Sequence, residues 1–462
     1  MEKKYWKSLE EQANIPETNP GRKDLDASKS LLDLIDEEID SKASSRRNFL
    51  KFCGFSFATA AIATSCKNPV ETAIPYLSKP EEVTPGVANH YASTYFDGHD
   101  YNGILVKVRD GRPIKIEGND LSGISKGATS ARVQGAVLSL YDDGSRFKSP
   151  MLGGKPSTWA ALDAEVTTKL AAANISGKSI ALVTATVISP ATLQVIEEFK
   201  KKYVTARHIT YDAVSASALL KANNLTFGAQ TIPDYNFDKA DVIVSFDADF
   251  LGTWLMPVEF TRRFAAGRRL NKDKRTISQL TVFETGMSLT GANADYRFPI
   301  KPSQQAAIIL NLYNEIAKAT GSPVYNAPAP VVNITKLAQK LIAAKGKSLV
   351  VCGINDTSLQ IVVNAINSML QNYGSTIDFS ATSLNIRKGL DVDMSSLVKE
   401  MNEGKTGAVI FYNVNPVYDY SDPKSLLDGL AKVPDCKLCN CHGRNSHLPG
   451  SGTGSSFPGI LE

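Results

Sequence analysis

The sequence has few cysteines, and they are unevenly placed. Residues 67–351 contain none, because the only cysteines in the chain are Cys53, Cys66, Cys352, Cys436, Cys439 and Cys441. This distribution excludes a disulfide framework of the kind that holds small secreted domains together. It also excludes a thiolate-bound iron–sulfur cluster within residues 67–351, since such clusters are held by cysteine thiolates.

Long apolar runs and strong net charge are also missing. No apolar stretch reaches the about 20 residues that a membrane-spanning helix needs. The formal net charge is only +4, and no run of lysines with interleaved aromatics occurs, which argues against nucleic acid as a partner. Hydrophobic residues make up 43% and charged residues 21%, as in an ordinary globular protein, and the length suggests two or three domains.

An export signal is present, although it starts more than forty residues into the chain. Ser45–Lys51, SRRNFLK, resembles the twin-arginine signature, and Phe52–Ser65 follow as an uncharged stretch of signal-peptide length. The signature residues are Arg46, Arg47, Phe49 and Leu50. We therefore predict a pre-signal extension at 1–43 and a twin-arginine signal at 44–66, which exports folded protein. A short buried helix with two chance arginines is the alternative.

Small residues precede Cys66. The run Ala63-Thr64-Ser65-Cys66 resembles a lipobox, with an alanine where leucine is usual. Cleavage before Cys66 would let that residue carry acyl chains, and at about 0.8 kcal/mol per buried CH₂ two or three chains anchor a protein stably. This interpretation predicts a lipoprotein on the periplasmic face of the inner membrane. The alternative is an ordinary cysteine near a plain cleavage site.

The chain beyond Cys66 shows two kinds of secondary-structure pattern. A polar, proline-bearing stretch at 67–87 indicates a tether, and 88–156 a β-rich subdomain. There, Gly103–Val108 and Pro113–Glu117 alternate in polarity around Asp110-Gly111, which predicts a β-hairpin. From 157 to 433, helices alternate with short apolar strands, which predicts an α/β fold with doubly wound, mostly parallel sheets.

Individual elements follow from local patterns. Ser157 is predicted to cap a helix with Trp159, Leu162, Val166 and Leu170 on one face, and Ser189-Pro190 to begin the next helix. Further helices are predicted near 213–222, 256–269, 304–319, 357–372 and 394–403. Buried strands are predicted at 179–184, 207–210, 241–246, 279–283, 349–352 and 408–411.

Several segments, in order, resemble the molybdopterin oxidoreductase superfamily of molybdenum enzymes. They are the hairpin VRDGRPIKIEGN, the passage from Ser139 through Met151 to Trp159, and the segments 240–246, 291–295 and 413–416. The resemblance covers about residues 85–430. It implies this family's fold, in which strand-end loops hold a pterin guanine dinucleotide.

The cluster-binding residues of that family are replaced here. Catalytic members carry C-x₂-C-x₃-C before the hairpin and a fourth cysteine after it, whereas this chain reads HYASTYFDGHDYNG and then KGATSARVQG. The second passage offers Ala128, Ser130 and Ala131. We expect His90 and His99 to be surface or hydrogen-bonded residues. The resemblance therefore implies no iron–sulfur cluster at this position.

The pterin site departs from the family as well. The loop after the third strand reads Phe246-Asp247-Ala248-Asp249-Phe250, where a glycine-led loop would let backbone approach a phosphate. We expect a bulky phenylalanine and two carboxylates to repel a pyrophosphate. No cysteine or serine lies in the metal-ligand context, and Cys352 is expected to be a buried core residue. We therefore predict that the chain binds no molybdopterin.

One branch of this family also resembles the N-terminal part. The segments YWKSLEE, SRRNFLK and AIPYLSKPEEVTPGVANHYASTYFDG are similar to the large iron–sulfur subunit of Bacteroidetes-type alternative complex III, a quinol-oxidising respiratory complex. This resemblance implies a non-catalytic scaffold with no cofactor, cytochrome c and quinol-binding membrane subunits as partners, and iron–sulfur clusters only in a domain after residue 462. A catalytic periplasmic molybdoenzyme and a periplasmic ligand-binding lipoprotein are the alternatives.

The end of the chain does not fit this resemblance. Cys436, Cys439 and Cys441 precede His442, but a haem motif needs C-x-x-C-H and this run is one residue short. A zinc tetrahedron would have to recruit His447. We predict an irregular tail at 434–462, produced by a shifted reading frame or by truncation, with a metal site as the alternative.

Overall fold

The computed structural model describes residues 84–440, except 85, 99, 143–148, 154, 271–274, 330, 381–385 and 434–435. Predictions for the extension, the signal and the tether up to residue 83 therefore lie outside the described residues. The same holds for Arg46, Arg47, Phe49, Leu50, Cys66, His99, Cys441, His442 and His447.

Strands and helices alternate along most of the described chain. The strands are β1 (Asn89–Phe96), β2 (Tyr101–Arg109), β3 (Arg112–Gly118), β4 (Met151–Leu152), β5 (Lys155–Pro156), β6 (Ser179–Thr184), β7 (Ala206–Thr210), β8 (Asp234–Tyr235), β9 (Val242–Phe246), β10 (Gln279–Glu284), β11 (Tyr296–Pro299), β12 (Ser348–Cys352), β13 (Ile377–Asp378), β14 (Thr406–Tyr412) and β15 (Cys436–Asn440). The α-helices are α1 (Ala131–Gly135), α2 (Trp159–Ile175), α3 (Pro190–Lys202), α4 (Ser217–Phe227), α5 (Pro257–Arg268), α6 (Leu289–Ala292), α7 (Pro302–Thr320), α8 (Thr335–Ala343), α9 (Thr357–Met369), α10 (Asp391–Asn402), α11 (Pro416–Asp419) and α12 (Pro423–Ala431). Short 3₁₀ helices lie at Ala136–Leu140 and Phe237–Lys239.

The N-terminal sheet is antiparallel, with strand order β1-β2-β3. Its β2–β3 pair is the predicted hairpin, turned at Asp110 and Gly111, which both have positive φ, 50° and 75°. Such angles are what a tight hairpin turn requires. Strand β1 was not predicted, because its sequence NHYASTYF lacks a clean apolar alternation. Ile104 and Ile116 of this sheet pack on Val133 of α1.

Two four-stranded parallel sheets dominate the rest of the described fold, beside the short antiparallel pairs β4–β5 and β8–β13, and they confirm the predicted fold class. Sheet I has the order β15-β14-β6-β7, and sheet II has the order β11-β10-β9-β12. Helices cover both faces of each sheet. In sheet II, for example, Val244 packs toward α7 and α9, while its neighbour Ile243 packs toward α5, as expected when successive strand residues point to opposite faces.

Helices α2 and α3 begin at or close to the predicted residues. Ser189 caps α3 and Pro190 begins it, as predicted. The cap of α2 is Thr158 and not Ser157, because Thr158 Oγ1 accepts the Ala161 amide at 3.3 Å. Trp159 is 46% exposed, so it does not share the buried face of α2 with Leu162. Helix α2 thus starts one residue later than predicted, and its first residue faces solvent.

The helix predicted at 213–222 also starts later. It is α4, which begins at Ser217, because Ser215 Oγ accepts the Ser217 amide at 3.0 Å and holds the preceding residues in a loop. Helix α8 and strand β11 were not predicted.

The predicted irregular tail is wrong for the part of it that is described. Residues Cys436–Asn440 form β15, which pairs in parallel with β14 from Ala408 to Tyr412. Pairing of this kind satisfies backbone N–H and C=O groups of β14, which would otherwise lie at a sheet edge. Among the described residues, no helix has the length and apolar character needed to cross a membrane.

Candidate functional site

The candidate site lies where the strands of sheets I and II end. In doubly wound folds, ligands bind in the crevice outside the carboxyl ends of the parallel strands. Here the segment Arg387–Asp391, which leads into α10, crosses that region. We call it the strap. None of its residues was predicted to be functional, because the short run RKGLD carries no recognisable motif.

The middle of the strap binds the strand ends of sheet I. The Lys388 amide donates to Thr186 Oγ1 at 2.7 Å and to Asp212 Oδ2 at 3.1 Å, and the Gly389 amide donates to Asp212 Oδ2 at 2.8 Å. Thr186 follows β6 and donates its own amide and hydroxyl to Asp212, at 2.9 and 2.7 Å. The Asp212 carboxylate, which follows β7, thus accepts four hydrogen bonds.

Gly389 allows the strap to lie close to Thr210 and Asp212 at the carboxyl end of β7 in sheet I. A Cβ atom there would lie 3.0 Å from the Asp212 amide nitrogen, from Asp212 Oδ2 and from the Thr210 carbonyl oxygen. A larger residue would therefore push the strap away from sheet I.

The end of the strap binds the first residue of α4 and the loop after β12 of sheet II. The Asp391 amide donates to Ser217 Oγ at 3.2 Å, and Asp391 Oδ2 accepts from Asn355 Nδ2 at 2.9 Å. Asn355, in the loop after β12, also accepts the Ala218 amide at 2.9 Å. The strap is therefore hydrogen-bonded to the carboxyl-end loops of both parallel sheets.

The beginning of the strap reaches the N-terminal sheet. The Arg387 side chain is buried, with the residue only 3% exposed, and its Nη1 donates to the Gly98 carbonyl in the loop between β1 and β2. Burial lowers the pKa of Arg387, while the carboxylates of Asp212, Asp97 and Asp100 oppose that shift by favouring the charged form. Arg387 thus places a desolvated cation among carboxylates.

The two segments in which the family resemblance would place cluster-binding cysteines do meet. Ser130 Oγ donates to Asp100 Oδ2 at 3.0 Å, and Arg132 Nη1 lies 3.7 Å from carboxylate oxygens of both Asp100 and Asp97. Asp100 is 1% exposed, and burial raises its pKa. Among the described residues, Asp100 Oδ1 and both amide atoms of Asn102 lack hydrogen-bond partners.

This donor set does not fit a cluster held by thiolates, because it consists of carboxylate, hydroxyl and amide groups. Within the described ranges, no three His, Cys, Asp or Glu side chains come together as a metal site. The absence of bound metal stays a prediction. His90 lies on the surface, with its side chain 43% exposed and 3.9 Å from Glu117, as expected.

The loop after β9 needs one correction. A phenylalanine of this loop was expected to obstruct a pyrophosphate, but the Phe250 side chain is fully buried and stacks on Phe237 with ring centroids 4.2 Å apart. Phe246 is likewise buried, stacked on Phe283 at 5.2 Å. Both rings lie in the core because they belong to the apolar faces of sheet II and its loop. The local sequence did not indicate this orientation.

The two carboxylates of this loop are held by the neighbouring loop. Asp247 has a φ of 48° and accepts the Thr285 amide at 3.0 Å and the Gln305 amide group. Asp249 Oδ1 accepts the amide and hydroxyl of Thr290, at 3.0 and 2.8 Å. Asp247 and Asp249 therefore bind protein groups at the place where the resemblance implies a pyrophosphate.

Cys352 is a core residue, as predicted. It is the last residue of β12, is 2% exposed and packs in the sheet II core. Burial raises the pKa of its thiol to about 12, which keeps it protonated at neutral pH. Its carbonyl accepts a hydrogen bond from Gln360 at 2.9 Å.

Little space remains between the strap and sheet II. The cavity there has a volume of about 60 Å³ and is lined in part by Arg387, Gly353, Asn355, Gln360 and Trp254. Small-molecule pockets usually measure about 300–1,000 Å³. A Cβ on Gly353 would lie 2.2 Å from the Asp247 carbonyl oxygen, so the β9 and β12 loops also touch. The residues present do not fit a pterin dinucleotide.

Comparisons with known proteins agree with this fold. No family model matches the chain. Over 376 residues it is 24% identical to the molybdopterin-binding-like subunit of menaquinone reductase from Nitratidesulfovibrio vulgaris, which covers 72% of this chain and 53% of that protein. The chain thus spans about half the length of the curated relative it matches.

A solved structure shows the same fold. Acetylene hydratase from Pelobacter acetylenicus is similar with a TM-score of 0.51 and 12% sequence identity, over 77% of this chain and 60% of that one. The two similarities support the molybdopterin oxidoreductase-like family. The strap is a different segment from the loop at 246–250, where the sequence predicted an eroded cofactor site.

Proposed function

We propose that this chain is a non-catalytic, molybdopterin oxidoreductase-like scaffold in a respiratory membrane complex that exchanges electrons with quinol. The observation that carries the proposal is the strap, whose hydrogen bonds to Thr186, Asp212 and Asn355 occupy the crevice in which a catalytic relative would need a cofactor. The similarity to a subunit of menaquinone reductase supports the link to a quinone-dependent complex.

The scaffold role follows from what an electron carrier needs. Electron transfer requires redox centres, and residues 67–351 offer no thiolate to hold one. The resemblance to alternative complex III implies that iron–sulfur clusters lie in a ferredoxin-like domain outside this sequence. In the proposal, this chain binds that domain, a cytochrome c subunit and quinol-binding membrane subunits, and it binds no nucleic acid.

The direction of the quinone reaction belongs to the proposal as well. The relative is named for reduction of menaquinone, whereas the resemblance to alternative complex III implies oxidation of quinol. We propose quinol oxidation. Purified complex should reduce cytochrome c when given a menaquinol analogue. Quinone reduction without quinol oxidation would contradict the proposed direction of the reaction but would leave the proposed family unaffected.

Location is a further part of the proposal. We propose export by the twin-arginine pathway, cleavage before Cys66, and acylation of Cys66 on the periplasmic face of the inner membrane. Replacing Arg46 and Arg47 with lysine should trap the precursor in the cytoplasm. Cys66→Ala should release the chain from membranes that lack its partners. Normal export of the first variant, or membrane retention of the second, would refute the corresponding step.

Affinity purification from native membranes tests the central claim. We expect a tagged chain to co-purify with cytochrome c and membrane subunits, and the isolated chain to contain neither molybdenum nor iron in stoichiometric amount. Stoichiometric molybdenum would instead identify a catalytic molybdoenzyme. A tightly bound small molecule, with no respiratory partner, would identify a ligand-binding lipoprotein.

A further inference from the structure

The strap lies at the carboxyl ends of the parallel strands, where α/β folds of this type hold ligands. It is hydrogen-bonded to the loops after β6 and β7 through Thr186 and Asp212, and to the loop after β12 through Asn355. Through Arg387 it also reaches Gly98 of the N-terminal sheet. A ligand that bridged these parts of the fold would need the same positions.

The charges of this region suit the strap and oppose an anionic ligand. Burial disfavours the charge of Arg387 and lowers its pKa, whereas the carboxylates of Asp212, Asp97 and Asp100 favour the charge. Arg132 lies 3.7 Å from Asp97 and Asp100. Removing the Arg387 cation would therefore leave these carboxylates with one guanidinium nearby, and losing one partner of a buried charged group is destabilising. A pyrophosphate placed there would add negative charge to the same carboxylates.

We propose that the strap is an internal substitute for a bound dinucleotide, which fills the crevice and joins sheet I, sheet II and the N-terminal sheet without any ligand. It keeps the fold closed by backbone amides on Asp212 and by the Arg387 guanidinium. This inference rests on the cofactor-free part of the proposed function. Metal analysis tests that part, whereas the experiment below tests the strap itself.

The proposal is tested by measuring amide hydrogen-exchange rates of the 462-residue chain by mass spectrometry. Arg387→Met keeps the aliphatic volume and removes the cation. We expect amide exchange to become at least about tenfold faster in all four segments around Gly98, Thr186, Asp212 and Asn355, because the strap connects them. Faster exchange confined to the Gly98 loop would overturn the proposal.

A matched control separates the strap from general loss of stability. Arg263 is a partly buried arginine outside the strap, and it donates to Asp234 at 2.8 Å and to Glu259 at 2.6 Å. Arg263→Met should speed exchange around Asp234 and α5 and leave the four strap-bound segments unchanged. The same response in both variants would mean that the strap has no special role.

A second pair of variants, each of which removes a single hydroxyl, tests the proposal if Arg387→Met does not fold. Ser217→Ala removes the hydroxyl that accepts the Asp391 amide, while Ser395→Ala removes an exposed hydroxyl on the helix that the strap leads into, α10. Only Ser217→Ala should speed exchange of the strap amides. Millimolar guanosine diphosphate should leave exchange of the unaltered protein unchanged. Protection of the strap by this nucleotide would show an open crevice and overturn the inference.

Discussion

Ser130 donates a hydrogen bond to Asp100 across 3.0 Å, joining two segments that are thirty residues apart in the sequence. The hydroxyl also accepts the Val133 amide and so caps α1. One serine thus fixes both the start of a helix and a buried carboxylate. These are the two segments in which the family resemblance would place cluster-binding cysteines.

Asp100 should make stability depend on pH. Burial raises the pKa of Asp100 in the folded chain above its ordinary value of 3.8. Between 3.8 and this raised pKa, the folded chain therefore binds more protons than the unfolded chain. Its contribution to the free energy of unfolding therefore increases as pH falls through that window, and is lost as pH rises. Urea unfolding at several pH values should show this trend in the unaltered protein and lose it in Asp100→Asn. The exposed Asp163→Asn should keep it.

His208 should act in the opposite sense. Burial, and then the nearby Lys200 cation, lower its pKa below 6.5. Its Nε2 lies 2.7 Å from Thr184 Oγ1, which itself donates to the Ala185 carbonyl, so His208 is the donor of this pair. The unfolded chain binds more protons between the lowered pKa and 6.5, and stability is lost as pH falls through that range.

The same pH series checks this expectation with a matched pair. His208→Gln should remove the loss of stability, whereas the surface variant His90→Gln should retain it. Equal pH profiles for His208→Gln and the unaltered protein would contradict the assignment.

Phe250 should matter for stability and not for ligand exclusion. Because the ring is fully buried and stacked on Phe237, Phe250→Ala should lower the free energy of unfolding by about 3–5 kcal/mol. Tyr418→Ala, at an aromatic side chain that is 81% exposed, should change it by less than about 0.5 kcal/mol. Chemical denaturation of both variants compares them directly. A small effect at Phe250 would mean that its ring is not in the core.

The Cys352 thiol should be unreactive in the folded protein. It is 2% exposed, and burial raises its pKa to about 12, so little thiolate forms at about pH 8. Peptide mapping after iodoacetamide treatment should find Cys352 unmodified until denaturant is added. Its rate of modification should then follow global unfolding. Rapid labelling under native conditions would refute the assignment.

Local patterns were sufficient for the elements whose determinants lie close together. Asp110-Gly111 fixed the hairpin, and Ser189-Pro190 fixed the start of α3, since turn and cap chemistry act within a few residues. Apolar runs such as β6 indicated parallel strands for the same reason. The fold class followed from their alternation.

The strap could not be predicted, because its determinants are distant. Nothing near Arg387 indicates that Gly98 accepts its hydrogen bond, and nothing near Gly389 indicates the approach of Asp212. The orientation of the Phe250 side chain could not be predicted for the same reason, because a loop sequence does not indicate which ring packs in the core. Contacts between residues far apart in the chain decided each of these cases.

The order of strands in sheet I sets a constraint on synthesis of the chain. Strand β6 ends at Thr184 but pairs with β14, which begins at Thr406, and all of sheet II is encoded between them. Chains fold from the N-terminus as they leave the ribosome, and pairings that close long loops form slowly. We expect sheet II to fold first, before β6 can pair with β14. A mutation that slows folding of sheet II would then prolong the exposure of the apolar strand β6 and make the nascent chain prone to aggregation.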